Sequence, residues 1–225
     1  MNCFGMCRKD DDEPLVMTYF PLAARGELPK MLAVLGGVKL TIADVGLGPH
    51  KEVGPALDPP LPATVPILKH GDMTIYESLG IETYICNLSP KFAALTPKQK
   101  AIDDMYSNIK EDIMQQIAVW LFAEDKSKVK EELTPKLKKM YAICEGLCPE
   151  KGFINGLSFP TKGDLAVLLM MKGFIPYGWA FKNTGWEAKD VCPKMARIAE
   201  AVAEFDGIRE YLAKPGCTMF ADPGL

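Results

Sequence analysis

The rhythm of apolar and polar positions changes along the chain, and each change predicts a different element. After Pro14, residues 15–20 (LVMTYF) form a short apolar and aromatic run that reads as a buried strand. In residues 24–37 (ARGELPKMLAVLGG), Leu28, Met31, Leu32 and Leu35 recur at helical spacing. Pro29 is expected in the first turn, where a missing N–H costs nothing, and Gly36-Gly37 stops the helix. Residues 38–45 (VKLTIADV) alternate as a second strand. Residues 46–62 hold five prolines and three glycines and read as a long loop with room for a short element. Residues 65–68 and 73–76, joined through KHGD with Gly71 in the turn, read as a hairpin. Residues 78–87 carry apolar side chains at 79, 81, 84 and 85, the pattern of a helix lying on a sheet.

The order to this point is β-α-β-β-β-α, and the remainder of the chain is different. Residues 88–99 contain two prolines and read as a linker, after which every pattern is helical. Ile102, Met105, Ile109, Ile113, Ile117 and Trp120 form one stripe; Val129, Leu133, Leu137, Tyr141 and Cys144 form another, which Pro135 is expected to kink. Residues 159–170 (FPTKGDLAVLLM) start an almost wholly apolar helix with Thr161 and Asp164 three apart, the acidic variant of a capping box. A helix apolar all round must be buried, so it is expected at the centre of a helical domain, with Asp164 structural. Two short helices are predicted over 195–205 and 207–212, and the chain shows no internal repeat. The fold class is therefore α/β plus all-α: an extension over 1–13, a sheet domain over 14–88, a linker over 89–96 and an all-helical domain over 97–225.

Composition narrows the function. With 48% hydrophobic and 24% charged residues, the 225-residue chain has the make-up of a globular protein with a real core. A formal net charge of −3 gives no basic footprint, so nucleic acid is not expected as a partner. The apolar run over 165–181 is broken by Lys172, Gly173 and Pro176, so no membrane span is expected. The first residues lack the apolar core of a secretory signal, and Asn2 replaces the glycine that myristoylation requires; the cytoplasm is the expected location. Seven scattered cysteines fit reduced thiols, with Cys3 and Cys7 read as part of an exposed tail. Cys144 and Cys148 share a helical face and are expected to pack.

Three features carry candidate chemistry. Pro66 interrupts a strand and cannot donate to a ladder, which places it at an edge or, if Val65-Pro66 is cis, turns the Val65 backbone toward a peptide-like ligand. Glu77-Ser78 stands where strand gives way to helix. Ser78 is there an N-cap or a donor in a carboxylate site at a helix start, and Glu77 is an acceptor for an ammonium. Tyr19 ends the first strand, as a core aromatic or as a phenol with a role. With two histidines, no CxxC and no GxGxxG, the sequence offers no metal set, redox dithiol or dinucleotide fingerprint.

Together, residues 18–27 (TYFPLAARGE), 63–78 (ATVPILKHGDMTIYES) and 155–170 (NGLSFPTKGDLAVLLM) resemble, in order and spacing, the corresponding stretches of cytosolic glutathione transferases. The resemblance spans residues 14–213 and implies a thioredoxin-like domain with a mixed four-stranded sheet, followed by an all-helical domain. It also implies a tyrosine-type, sigma-like glutathione S-transferase, cytoplasmic and homodimeric, acting in detoxification on small hydrophobic electrophiles with glutathione as co-substrate and no metal. By that resemblance Val65 pairs with the cysteinyl backbone of glutathione, Pro66 is the cis-proline, Glu77 and Ser78 hold the γ-glutamyl group, and Tyr19 activates the thiol. No Ser or Cys lies between Leu15 and Leu28 to serve instead. Arg25 is expected to add positive potential or to pair with a local acid such as Glu27.

The sequence departs from the pattern in three places. Glu77 stands where glutamine is commoner, and Asn108 stands where relatives often place an acid. The long loop offers His50 and Lys51, at shifted positions, for the glycyl end. Tyr106 and Trp120 are candidates for the second substrate's pocket. A glutathione-dependent isomerase or peroxidase, or a non-catalytic structural or ligand-carrying relative, are the alternatives the resemblance leaves open.

Overall fold

A computed structural model describes residues 13–46, 48–222 and 224. The tail carrying Cys3 and Cys7 lies outside the described residues. The chain opens with β1 (Leu15–Tyr19), α1 (Ala24–Gly36), β2 (Leu40–Asp44), a single helical turn α2 (His50–Val53), β3 (Ile67–His70), β4 (Met73–Tyr76) and α3 (Ser78–Leu88). The strands form one mixed sheet in the order β2-β1-β3-β4, with β1 parallel to β2 and antiparallel to β3, and β3 antiparallel to β4. This is the thioredoxin-like arrangement, and the helical domain comes after it.

Physical reasons for the layout are local. Leu15, Met17 and Tyr19 alternate inward along β1, while Leu28, Met31 and Leu32 of α1 meet them from above, each of the three with zero exposure. Gly71, at φ +59°, makes the two-residue turn between β3 and β4 without steric cost. The helix α1 begins at Ala24, so Pro29 lies inside it and not in the first turn, where proline's preference predicts it. The helix therefore lacks the N–H that would have bonded to the Arg25 carbonyl, and burial of its apolar face holds it together across the gap. The strand β3 starts at Ile67, two residues later than predicted, because Val65-Pro66 stays outside the ladder whose last β1–β3 pair is Thr18–Ile67.

The predicted linker contains one helical turn, α4 (Pro90–Ala93), capped by Ser89. Then come α5 (Pro97–Leu121) and α6 (Lys126–Leu147), the latter one continuous helix through Pro135. The helices α7 (Lys162–Lys172), α8 (Trp179–Thr184), α9 (Pro193–Ala203) and α10 (Ile208–Leu212) complete the chain. As predicted, α7 is buried from Leu165 to Met170. It packs against α1, α5 and α9, at the centre of the helical domain. Asp164 accepts from the N–H groups of Thr161 at 2.9 Å and Ile154 at 2.8 Å, tying the preceding loop to the helix start. Cys144 and Cys148 are buried in packing contacts, with the Tyr106 hydroxyl donating to Cys148 Sγ at 3.8 Å.

The seam between sheet and helical domains is polar at its heart. Glu82 of α3 and Lys110 of α5 are both fully buried and meet at 2.6 Å, and Ser107 donates to the other Glu82 oxygen. Satisfied on both sides, such a pair fixes how α3 lies on α5, whereas removing one partner would strand a buried charge.

Candidate active site

Two neighbouring cavities open along this seam. The larger, about 540 Å³, is walled by Ala63, Thr64, Val65 and Pro66 before β3, by Glu77 and Ser78 at the start of α3, by His50 of α2, by Phe20 and Arg25, by Glu111 and Gln115 within α5 and by Phe122 just beyond it. The smaller, about 180 Å³, is walled by Tyr19, Phe20, Leu22, Ala24 and Arg25, by Met114, Ala118, Leu121 and Phe122, and by Ile175-Pro176. Phe20, Arg25 and Phe122 line both. The first is polar and the second apolar, and they share a wall.

Each cavity is built around unusual backbone. Val65-Pro66 is cis in the polar wall and Ile175-Pro176 is cis in the apolar one. Among the described residues the non-glycine positions with positive φ are Glu77, at +75° in the polar wall, and Ala24, at +43° in the apolar wall. Such backbone costs about 1–3 kcal/mol per residue and persists where surrounding structure imposes it, commonly at functional sites. At Glu77 the turn ends β4 and starts α3 at the cavity wall, which Glu77 and Ser78 both line. Ser78 is thus the first residue of the helix and not its N-cap: Glu77 occupies that position, and its carbonyl accepts from Ile81 N–H at 3.1 Å. The Ser78 side chain is left for the cavity, beside the positive end of the helix dipole.

Tyr19 is only 3% exposed, and its ring lies on Gly26, where a Cβ would come within 2.1 Å of Tyr19 Cδ1. Glycine at 26 therefore makes room for the ring. Burial pushes the Tyr19 phenol well above its ordinary pKa; the backbone N–H of Gly26, the charge of Arg25 and the Arg25 N–H pull the other way, and Glu111 adds to the rise. The phenol stays protonated, hence a donor, throughout the physiological range. It lines the apolar cavity next to the shared wall.

Arg25 does not pair with Glu27. Its Nε donates to Glu111 Oε1 at 2.7 Å and its Nη2 to Gln115 Oε1 at 2.8 Å, across the seam to α5. Glu27 is fully buried on the other side of α1, where it accepts from Tyr211 at 2.7 Å and Thr218 at 2.8 Å. Two residues of sequence turn a helical side chain by about 200°, which is why Arg25 and Glu27 serve opposite faces. His50 stacks edge-on against Phe20 with centroids 4.9 Å apart, and its Nδ1 accepts from Gly48 N–H at 3.2 Å. In the neutral ring that leaves the proton on Nε2. Lys51 is exposed and does not belong to the cavity wall.

Of the residues read from sequence, the fold thus gathers Arg25, His50, Val65, Pro66, Glu77 and Ser78 around one cavity and sets Tyr19 at its neighbour. Tyr106 and Trp120 line neither: both are at most 2% exposed, and Trp120 Nε1 donates to the Lys126 carbonyl at 2.9 Å while its ring meets Trp179 edge-on. Sequence reasoning missed Gly26, Glu111, Gln115, Phe20 and Phe122. Only Gly26 left a signal, as a lone glycine inside a helical pattern, a mark of close approach.

The fold has known counterparts. Over 90% of its length the chain superposes on a glutathione S-transferase of Caenorhabditis elegans at TM-score 0.69 and 24% identity, covering 98% of that chain. Over the same share it matches the monomeric glutathione S-transferase Na-GST-3 of the hookworm Necator americanus at TM-score 0.72 and 19% identity, covering 98% of it. Rat hPGDS, solved in complex with a quinoline, gives TM-score 0.73 at 15% identity, again with 90% and 98% coverage. The chain has the glutathione S-transferase fold. No family model and no curated protein matches its sequence. The glutathione S-transferase fold is here the common property of chains that share fewer than one residue in four. Among the described residues it carries no cluster of metal-ligating side chains, and no helix long and apolar enough to cross a membrane.

Proposed function

We propose that the protein is a tyrosine-type, sigma-like glutathione transferase of the cytoplasm, which binds glutathione in the polar cavity, activates its thiol through Tyr19 and conjugates it to a small hydrophobic electrophile in the apolar one. The observation that carries this reading is the shared wall: a polar and an apolar cavity meet at Phe20, Arg25 and Phe122, with a protonated phenol beside the junction. A tripeptide needs donors and acceptors along its length and an apolar partner needs none, so one two-part site suits both.

Each part has a role under this reading. The Val65 backbone, beyond the end of the ladder, pairs with the cysteinyl residue in the manner of an added strand. Ser78 and the α3 N-terminus take the γ-glutamyl carboxylate, Glu77 its ammonium, and His50 Nε2–H the glycyl carboxylate. Bringing a thiol from its ordinary value near 8.5 to about 6.5 requires about 2.7 kcal/mol, and one hydrogen bond to a charged acceptor supplies about 1.5–3 kcal/mol. The Tyr19 hydroxyl donating to the sulfur is therefore sufficient in size. The thiolate then attacks the electrophilic carbon: a C–S bond forms, the leaving group departs with its electron pair, and the thiol proton has gone to solvent.

The homodimer expected for the family is assigned to α5 and α6, which carry exposed apolar side chains. Met105 and Val119 on α5, and Ile143 and Leu147 on α6, are between 39% and 57% exposed, and Ile143 joins Met140, Asp112, Gln116, Lys136 and Lys139 in lining a groove of about 470 Å³ between the two helices. Retention on immobilised glutathione with release by free glutathione, and then turnover of chlorodinitrobenzene, tests the reading. A protein that neither binds nor turns over would instead be a structural or ligand-carrying relative. Binding with turnover of unsaturated ketones or lipid hydroperoxides alone would make it the isomerase or peroxidase.

A further inference from the structure

A carboxylate faces the place where an anionic nucleophile would form. Glu111 lines the polar cavity and holds Arg25 through Oε1 at 2.7 Å. Its Oε2 is buried, has no hydrogen-bond partner among the described residues and lies 3.9 Å from Lys110 Nζ. Lys110 is in turn bonded to Glu82 at 2.6 Å. A line of alternating charges, Arg25, Glu111, Lys110, Glu82, thus runs from the first turn of α1 through α5 to α3.

We propose, on the basis of the thiolate reading above, that Glu111 is a positioning residue that restrains the nucleophile: it fixes Arg25 beside Tyr19 while cancelling much of the positive potential Arg25 would otherwise lend a thiolate. The groups facing this point are Tyr19 from β1, Arg25 from α1, His50 from α2, Glu77 before α3, Lys110 and Glu111 from α5, and Tyr177 from the segment before α8. Lys110 is occupied by Glu82, and Glu77 stands beside Ser78 in the cavity wall. Arg25 and Glu111 are the opposed charges that act on the Tyr19 phenol, the first favouring an anion there and the second disfavouring it. Deleting the Glu111 charge therefore has one sign: it eases formation of the thiolate directly and releases Arg25 to do the same. Gln115 keeps Arg25 in place, since it accepts from Nη2 at 2.8 Å independently.

The test is Glu111→Gln, which keeps an oxygen for Arg25 and removes the charge, with Gln115→Met as the variant that removes an Arg25 partner without changing charge. The ultraviolet thiolate band of the glutathione complex is titrated, and kcat/KM for chlorodinitrobenzene is measured against pH. At an effective dielectric near 20 a unit charge about 12 Å away moves a titration by about one pH unit, and a nearer one moves it further, so the midpoint should fall by at least about one unit in Glu111→Gln and the rate on the acid limb should rise at least about tenfold. Gln115→Met should leave the midpoint in place. A midpoint that stays put or rises in Glu111→Gln, or one that moves equally in Gln115→Met, overturns the proposal. If Glu111→Gln does not fold, Glu111→Asp is titrated in its place: its shorter side chain draws the carboxylate back from Arg25, and a fallen midpoint supports the restraint where an unmoved one overturns it. Absence of any thiolate band in the unaltered protein overturns the underlying reading as well, whereas a band that does not respond to Glu111 overturns the restraint alone.

Discussion

The two cavities share three wall residues and differ in how far along the chain the rest of their walls are gathered. Half of the polar one, with the cis peptide at Val65-Pro66, the positive φ of Glu77 and the start of α3, comes from a stretch of sixteen residues. The apolar one is assembled from β1, α1, the middle and end of α5 and the turn at Ile175-Pro176, segments more than 150 residues apart in sequence. Recognition of a peptide needs fixed donors and acceptors, which local chain geometry can supply. Accommodation of an apolar group needs only space and surface, which any set of packed elements can supply. The first cavity is accordingly constrained by conformation and the second by packing.

Exchange of single side chains should separate the two. Tyr19→Phe should cost about a hundredfold in kcat for conjugation, the equivalent of about 2.7 kcal/mol, while glutathione binding measured by calorimetry stays within about twofold. An unchanged kcat would remove Tyr19 from the chemistry. Gly26→Ala places a methyl group into the Tyr19 ring at 2.1 Å. It should lower stability by about 1–3 kcal/mol, read as a fall in the thermal midpoint, and should displace the phenol. Ser78→Ala should weaken glutathione about tenfold, or about 1.4 kcal/mol, with little change in the KM of the electrophile. Leu22→Ala, which touches the apolar cavity only, should do the reverse and more gently. A rise in electrophile KM of about threefold to fivefold, near 1 kcal/mol, is expected with glutathione affinity unchanged. Equal effects of Ser78→Ala and Leu22→Ala on both ligands would dissolve the distinction between the cavities.

Legibility in the sequence divides along the same line. The proline at 66 announces itself because it cannot join a ladder, and the Glu77-Ser78 pair because strand must yield to helix there. The positive φ of Glu77 is not legible, since glutamate has no preference for that region; only its position between β4 and α3 imposes it. Local signals mislead at Pro29, whose helix starts earlier than proline preferences suggest, and at Val65, excluded from the strand its side chain favours. They are silent about Glu111 and Gln115, ordinary polar residues on a long helix until the sheet domain brings Arg25 against them. Tyr106 and Trp120 are attractive as pocket walls for their chemistry, yet the stripe that makes α5 amphipathic turns both into the core.

Local sequence was enough for the order of elements, the buried central helix α7 and its acidic cap, and the small motifs that place a cis-proline and a helix start beside each other. These depend on neighbours within a few residues, where backbone sterics and periodic burial leave few choices. The docking of the two domains settled the rest: which charges meet across the seam, that Arg25 turns to α5 while Glu27 turns away, and that a phenol, a guanidinium and a carboxylate converge where two cavities join. Those outcomes depend on how α1 and α3 of the sheet domain seat on α5, and a long-range docking of packed surfaces leaves no trace in local sequence.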